Sequence, residues 1–173
     1  MLIGNFLKNI KKEFRNHRFA GLSFNSADCK NDYIFFAIKG TKSDGNKFID
    51  HAIKTGAKTI ISEQKFEVIK NKVLFLRSKN VRKLLSELSY KITKNKPKNL
   101  IAVTGTNGKS SIADFYFQLL NLSNKKVASI GTLGIRTKNN LKNVSNTTLD
   151  PIGLSKILND LKKKRIDNVI LEA

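Results

Sequence analysis

Apolar positions recur every three or four residues near the start of the chain, at Leu2, Ile3, Phe6, Leu7, Ile10 and Phe14, and predict an amphipathic helix over 2–14. The pattern then changes period. Tyr33 to Ile38 is an unbroken apolar run of strand length and predicts a buried strand. Phe48 to Thr55, stopped by Gly56, reads as a short helix; strands follow at Thr59 to Ser62 and Val73 to Arg77, then a helix from Val81 to about Thr93. These elements describe a small α/β region. The stretch Lys94 to Asn99, KNKPKN, is polar, holds one of the two prolines and reads as a linker, so the expected division is 1–95 and 96–173.

The second region opens with an apolar strand at 100–104 and a helix after it, with Ile112, Phe115, Tyr116, Leu119 and Leu120 expected on the face that packs on a sheet. Phe115 and Tyr116 therefore read as core residues rather than base-stacking ones. A strand at Val127 to Ile130 and a polar hairpin or loop reaching Thr148 come next. Asp150 followed by Pro151 is a helix start, an N-cap acceptor before a residue with no N–H to satisfy, and Ile152, Leu154, Ile157, Leu158 and Leu161 supply its buried face. The last predicted element is a strand from Asn168 to Glu172. An apolar strand of this kind is normally covered on both faces by crossover helices, so the second region is expected to be an incomplete parallel sheet of three strands.

Between strand 100–104 and its helix lies Gly105-Thr106-Asn107-Gly108-Lys109-Ser110-Ser111. A strand, a glycine-bounded loop and a helix N-terminus together present backbone N–H groups to an anion, the arrangement that cradles a polyphosphate. The common pattern G-x-x-x-x-G-K-[ST] needs a glycine at 103, where this chain has Val103. The shorter loop still leaves Lys109 able to reach the β- and γ-phosphates and the Ser110 hydroxyl able to hold Mg²⁺, which points to a nucleotide triphosphate with Mg²⁺. Glu172, at the carboxyl end of a predicted parallel strand, stands where open α/β sheets bind ligands and where a second Mg²⁺ contact is found. The alternative is a strand-terminal acid exposed to water.

The formal charge of +20 raises the question of nucleic acid, but the basic residues are spread along all 173 positions. Only six of them are Arg, the residue whose planar fork reads phosphates and bases. Lys, Asn and Ile account for 64 of the 173 residues, a bias that an A/T-rich coding sequence produces. The charge is thus attributed to composition and to some attraction for anionic substrates, and no nucleic acid is expected. No apolar run approaches the ~20 residues of a membrane span, and no secretory signal stands at the start; a cytoplasmic location and no membrane partner are expected. Cys29, alone, has no disulfide partner in the chain, and His17 and His51 lack metal-ligand spacing.

GTNGKSS after an apolar strand, Asn146-Thr147-Thr148-Leu149-Asp150-Pro151, and the closing Val169-Ile170-Leu171-Glu172-Ala173 together resemble the Mur ligase family. Phe24-Asn25-Ser26, the run 33–40 and Ser43-Asp44-Gly45 resemble that family's uridine-binding domain, so the likeness spans both regions. It implies a uridine-binding α/β domain followed by a P-loop central domain. It further implies an ATP-dependent ligase, acting as a monomer, that adds the third amino acid, diaminopimelate or lysine, to UDP-N-acetylmuramoyl-L-alanyl-D-glutamate. By the same resemblance Phe24 and Ser26, with the loop Thr41, Lys42 and Ser43, would contact the UDP moiety. Asn146, Thr147 and Thr148 would position the muramoyl peptide; Gly105 to Ser111 would hold ATP, Lys109 would meet the transferred phosphate, and Ser110 with Glu172 would hold Mg²⁺. Asn25 and Ala27 depart from the family's Asp and Arg at these places, and Leu149 stands where proline is common. The resemblance also implies that catalytic parts of the family lie beyond Ala173, so the chain as given is expected to show no ligase turnover. Two other readings stand beside this one: a related ATP-dependent ligase, either the last-step Mur ligase or folylpolyglutamate synthase, and a basic nucleic-acid-binding module.

Overall fold

A computed structural model describes residues 1–41, 43–142 and 149–173. The chain divides into two compact units, Met1–Ile92 and Thr93–Ala173.

The first unit carries β1 (Gly21–Ser23), β2 (Tyr33–Phe36), α1 (Ile49–Lys54), β3 (Ala57–Ser62), β4 (Val68–Lys70), β5 (Val73–Arg77) and α2 (Val81–Ile92). Its sheet runs β1-β2-β3-β5-β4, parallel except for the β4–β5 hairpin. Phe35 and Ile60 are buried with Cys29, Ala52 and Val73 on one face. The alternate positions Ile34, Phe36 and Ile61 are buried too, as a strand covered on both sides requires. Burial pushes the Cys29 thiol up from its ordinary range, in keeping with a packing role.

The helix predicted over 2–14 does not form. Ile3–Asn5 and Lys12–Phe14 are single 3-10 turns. The N–H groups of Ile3 and Gly4 instead donate to the carbonyls of His17 and Arg15, and a Cβ on Gly4 would lie 2.9 Å from the Arg15 carbonyl oxygen. Two short arms pair side by side because residue 4 has no side chain. The buried Ile3 and Phe14 supply the periodicity that mimicked a helix. Sequence periodicity also missed β4, whose two-residue turn at Asn71 and Lys72 adopts φ of 50° and 64° without glycine.

The second unit carries β6 (Asn99–Val103), α3 (Lys109–Leu122), β7 (Val127–Gly131), β8 (Gly134–Thr137), β9 (Asn140–Lys142), α4 (Pro151–Lys163) and β10 (Asn168–Glu172). Its sheet has five strands rather than three, in the order β6-β10-β7-β8-β9, because the polar segment after β7 forms an antiparallel hairpin. β10 lies between β6 and β7 and is parallel to both, so it is an interior strand rather than an edge. Ala128, Ile130 and Val169 are buried with Leu158, Leu161 and Ile166 on the α4 face. Asp150 caps α4 by accepting from the N–H groups of Ile152 (2.9 Å) and Gly153 (2.8 Å).

α3 is rotated from its predicted phase. Its buried residues are Ala113 and Phe117, while Ile112, Phe115 and Leu119 are exposed and Tyr116 and Leu120 are half-buried. Two apolar stripes adjoin on this helix, and periodicity alone does not choose between them. Arg136 of β8, stacked 4.3 Å over the Phe117 ring and bonded to Asp114 at 2.5 Å, favours the observed rotation. Among the described residues no helix is long and apolar enough to cross a membrane.

Candidate functional site

β6 delivers the chain to the carboxyl edge of its sheet, and residues 104–108 turn there into α3. Gly105 and Gly108 hold φ of 150° and 79°, a region that side-chain-bearing residues avoid. A Cβ on Gly108 would meet nothing within 4 Å, so the space in front of the loop is open. Gly108 is the N-cap of α3 and carries no capping side chain. The first N–H groups of the helix therefore face this open space with no intrahelical acceptor, next to the positive end of the helix dipole. Lys109 folds back over the loop, its Nζ donating to the Gly105 carbonyl at 2.5 Å.

Glu172 ends β10, the strand beside β6. Its Oε2 accepts from Ser110 Oγ at 2.8 Å and from Thr132 Oγ1 at 3.1 Å, so the loop, β10 and the turn after β7 meet at one carboxylate oxygen. The Ala173 N–H donates to the Val103 carbonyl at 2.8 Å, which ties the end of β10 to the start of the loop. Among the described residues no group of three or more His, Cys, Asp or Glu is placed to hold a metal. The donor set at Glu172 nevertheless suits Mg²⁺. Adjacent oxygens in an octahedron with bonds of about 2.1 Å lie about 3 Å apart, close to the observed Ser110–Glu172 separation, and such ions take most other ligands from phosphate and water. The sequence placed Ser110 and Glu172 in this role individually; the structure puts them in contact. Thr132 was not anticipated, and its only signal is its place directly after a parallel strand.

In the first unit Ser26 is buried and its Oγ lies 3.0 Å from His51 Nδ1, while its carbonyl accepts from Thr55 Oγ1 at 2.8 Å. Asn25, at the family's Asp position, accepts from the Ala27 N–H at 3.2 Å and donates to Asp28 at 2.9 Å, so it shapes the 3-10 turn Ser26–Asp28. Phe24 is 42% exposed beside it. Thr41 and Ser43 are exposed at a turn closed by the Gly40 N–H on the Ser43 carbonyl at 2.9 Å. Asp44, directly after, accepts from the backbone and side-chain N–H groups of Asn46, which hold its carboxyl below the usual carboxylate range. His51, which lacks metal-ligand spacing in the sequence, is linked by its bond to Ser26 to the predicted uridine loop. His17 is 3.2 Å from the Lys58 carbonyl, and burial holds its pKa below the ordinary value. Lys42, Asn146, Thr147 and Thr148, the remaining predicted contacts, lie outside the described residues.

Residues 18–91 match the model of the Mur ligase family catalytic domain, and residues 103–173 match the Mur ligase middle domain. The chain is 41% identical over 169 residues to the UDP-N-acetylmuramoyl-L-alanyl-D-glutamate--2,6-diaminopimelate ligase of Rickettsia montanensis, covering 95% of this chain and 35% of the relative. A solved structure of a ligase with that same name superposes on 100% of this chain and 36% of its own, with a TM-score of 0.82 and 27% identity. The MurF ligase of Thermotoga maritima in complex with ADP gives a TM-score of 0.56 at 26% identity, covering 90% of this chain and 32% of its own. The chain thus spans about a third of the length of the relatives it matches. With a family domain matched in each of its two units, the chain belongs to the Mur ligase family.

Proposed function

We propose that this chain supplies the UDP-substrate and nucleotide sites of a cytoplasmic, monomeric ligase that uses ATP and Mg²⁺ to join 2,6-diaminopimelate to UDP-N-acetylmuramoyl-L-alanyl-D-glutamate. The observation that carries the reading is the meeting of an open glycine loop, Lys109, Ser110 and Glu172 at the carboxyl edge of one sheet. The choice of the third-step ligase over the last-step one rests on the closer match to the former, a TM-score of 0.82 against 0.56. A folylpolyglutamate synthase would not need the region matched at 18–91, and a nucleic-acid module would need neither domain.

ATP with Mg²⁺ supplies the phosphoryl group that activates the substrate carboxylate towards the incoming amine. The residues of this chain have little covalent work in such a transfer; they position groups and neutralise charge. Thr106, Asn107 and the glycines on either side present backbone N–H groups to phosphate oxygens, joined by those of Ser110 and Ser111 at the helix start. Lys109 Nζ exchanges the Gly105 carbonyl for a phosphate oxygen, a move along its own side chain. Ser110 Oγ and Glu172 Oε2 hold the ion. Phe24, Ser26, Thr41, Lys42 and Ser43 receive the UDP end, with His51 orienting the Ser26 hydroxyl, and Asn146, Thr147 and Thr148 receive the muramoyl peptide. Calorimetric titration with the UDP-muramoyl dipeptide and with ATP·Mg²⁺ tests the reading: uptake of both is expected, and a folded chain that takes up neither refutes it.

A further inference from the structure

Gly131 ends β7 beside the carboxyl end of β10, one step beyond the paired Ile130 and Leu171. A Cβ built on Gly131 would lie 2.2 Å from Glu172 Oε1, 2.3 Å from its Cδ and 2.6 Å from its Cγ. The Glu172 side chain therefore lies flat across the place where any other residue at 131 would carry its own. Neither the backbone nor the hairpin explains a glycine here. Gly131 does not have positive φ, and the residue that does, at 101°, is Gly134 on the other side of the two-residue turn. What the missing side chain provides is room for the carboxylate. Thr132 then completes the arrangement: its hydroxyl donates to Oε2, the same oxygen that accepts from Ser110 Oγ.

We propose that Gly131 and Thr132 are positioning residues that lay the Glu172 carboxylate against Ser110, so that Mg²⁺ arriving with a nucleotide meets two oxygens already set as neighbours. Gly131 acts by leaving space and Thr132 by a hydrogen bond. Groups that orient a metal-holding side chain in this way commonly govern metal affinity by about 10–100-fold. The proposal rests on the nucleotide reading above, and it makes the turn after β7 part of the Mg²⁺ site although neither residue need touch the ion.

The test is calorimetric binding of ATP to the full chain, once with Mg²⁺ and once with a chelator, for the wild type, Gly131→Ala, Thr132→Val, Thr132→Ser, Glu172→Gln and the double variant Gly131→Ala/Glu172→Gln. Gly131→Ala and Thr132→Val are expected to lose about 10–100-fold of the Mg²⁺-dependent part of the affinity. Affinity in chelator and the melting temperature should stay at wild-type values. Thr132→Ser, which keeps the hydroxyl, should bind as wild type, and adding Gly131→Ala to Glu172→Gln should cost nothing more. Equal losses with and without Mg²⁺, additive losses in the double variant, or wild-type binding by both Gly131→Ala and Thr132→Val would overturn the proposal. Thr132 is exposed, so its variants carry the test even where an alanine at the buried 131 disturbs folding. A wild-type chain that binds no ATP in either condition defeats the nucleotide reading itself, an outcome distinct from variants that bind like the wild type.

Discussion

Arg136 fixes the rotation of the helix that carries the phosphate loop, and replacing it with methionine isolates that role. The guanidinium bonds Asp114 at 2.5 Å with the two side chains 40% and 39% exposed, and it lies 4.3 Å over the Phe117 ring. A pair this exposed is worth about 0.5 kcal/mol, and the stacked cation adds about 0.5–1 kcal/mol. Methionine keeps most of the aliphatic stem, so Arg136→Met should destabilise Thr93–Ala173 by about 1–1.5 kcal/mol. Urea unfolding followed through the Ala113 and Phe117 amide resonances reports on this unit alone. A double-mutant cycle with Asp114→Asn should show a coupling of about 0.5 kcal/mol that fades at about 1 M salt, where screening acts over about 3 Å. A second cycle with Phe117→Leu should show a coupling that persists, because a face-on cation at contact distance is less screened. A loss below about 0.5 kcal/mol for Arg136→Met, or no coupling to Phe117, would mean that the guanidinium is simply solvated and that something else sets the phase of α3.

Removing the cap of α4 by Asp150→Ala leaves two N–H groups without their acceptor and should cost about 1 kcal/mol in the same unfolding experiment, with Asp150→Ser recovering most of it; an unchanged midpoint for Asp150→Ala would contradict the assignment. His17 supplies the pH dependence. Its folded pKa lies below the unfolded value because burial disfavours the charged ring, so the unfolded chain binds more protons as pH falls through about 6.5, and the folded state loses stability there. Urea midpoints measured from about pH 7.5 to about pH 5 should fall more for the wild type than for His17→Gln; parallel curves would show that the ring is not desolvated.

The sequence was legible where local chemistry decides the structure. Asp150-Pro151 is a helix start in any context, and the glycine loop between strand and helix needs no tertiary information. Glu172 could be placed at a strand end but not beside Ser110, because that contact depends on β10 inserting between β6 and β7, a pairing of strands 69 residues apart in register. The failed helix at 2–14 has a similar origin. Its periodicity was real, but pairing with residues 15–18 across Gly4 satisfied the backbone better than an isolated helix with three asparagine or glycine positions would. Gly131 and Thr132 were invisible for a further reason: one acts by having no side chain, and the other through a residue 40 positions away.

The central claim is that a uridine-nucleotide substrate and a nucleotide triphosphate share this chain, and the first half of it is the more demanding. Titrating the purified, folded chain with UDP-N-acetylmuramoyl-L-alanyl-D-glutamate in a calorimeter tests it directly. The account predicts saturable binding at one site, weakened by Ser26→Ala, which is placed on the UDP end, and unaffected by Lys109→Met, which is placed on the ATP phosphates and not on this substrate. Absence of binding in a chain that still takes up ATP·Mg²⁺ would contradict the account and leave a nucleotide-binding member of the family with a different acid substrate.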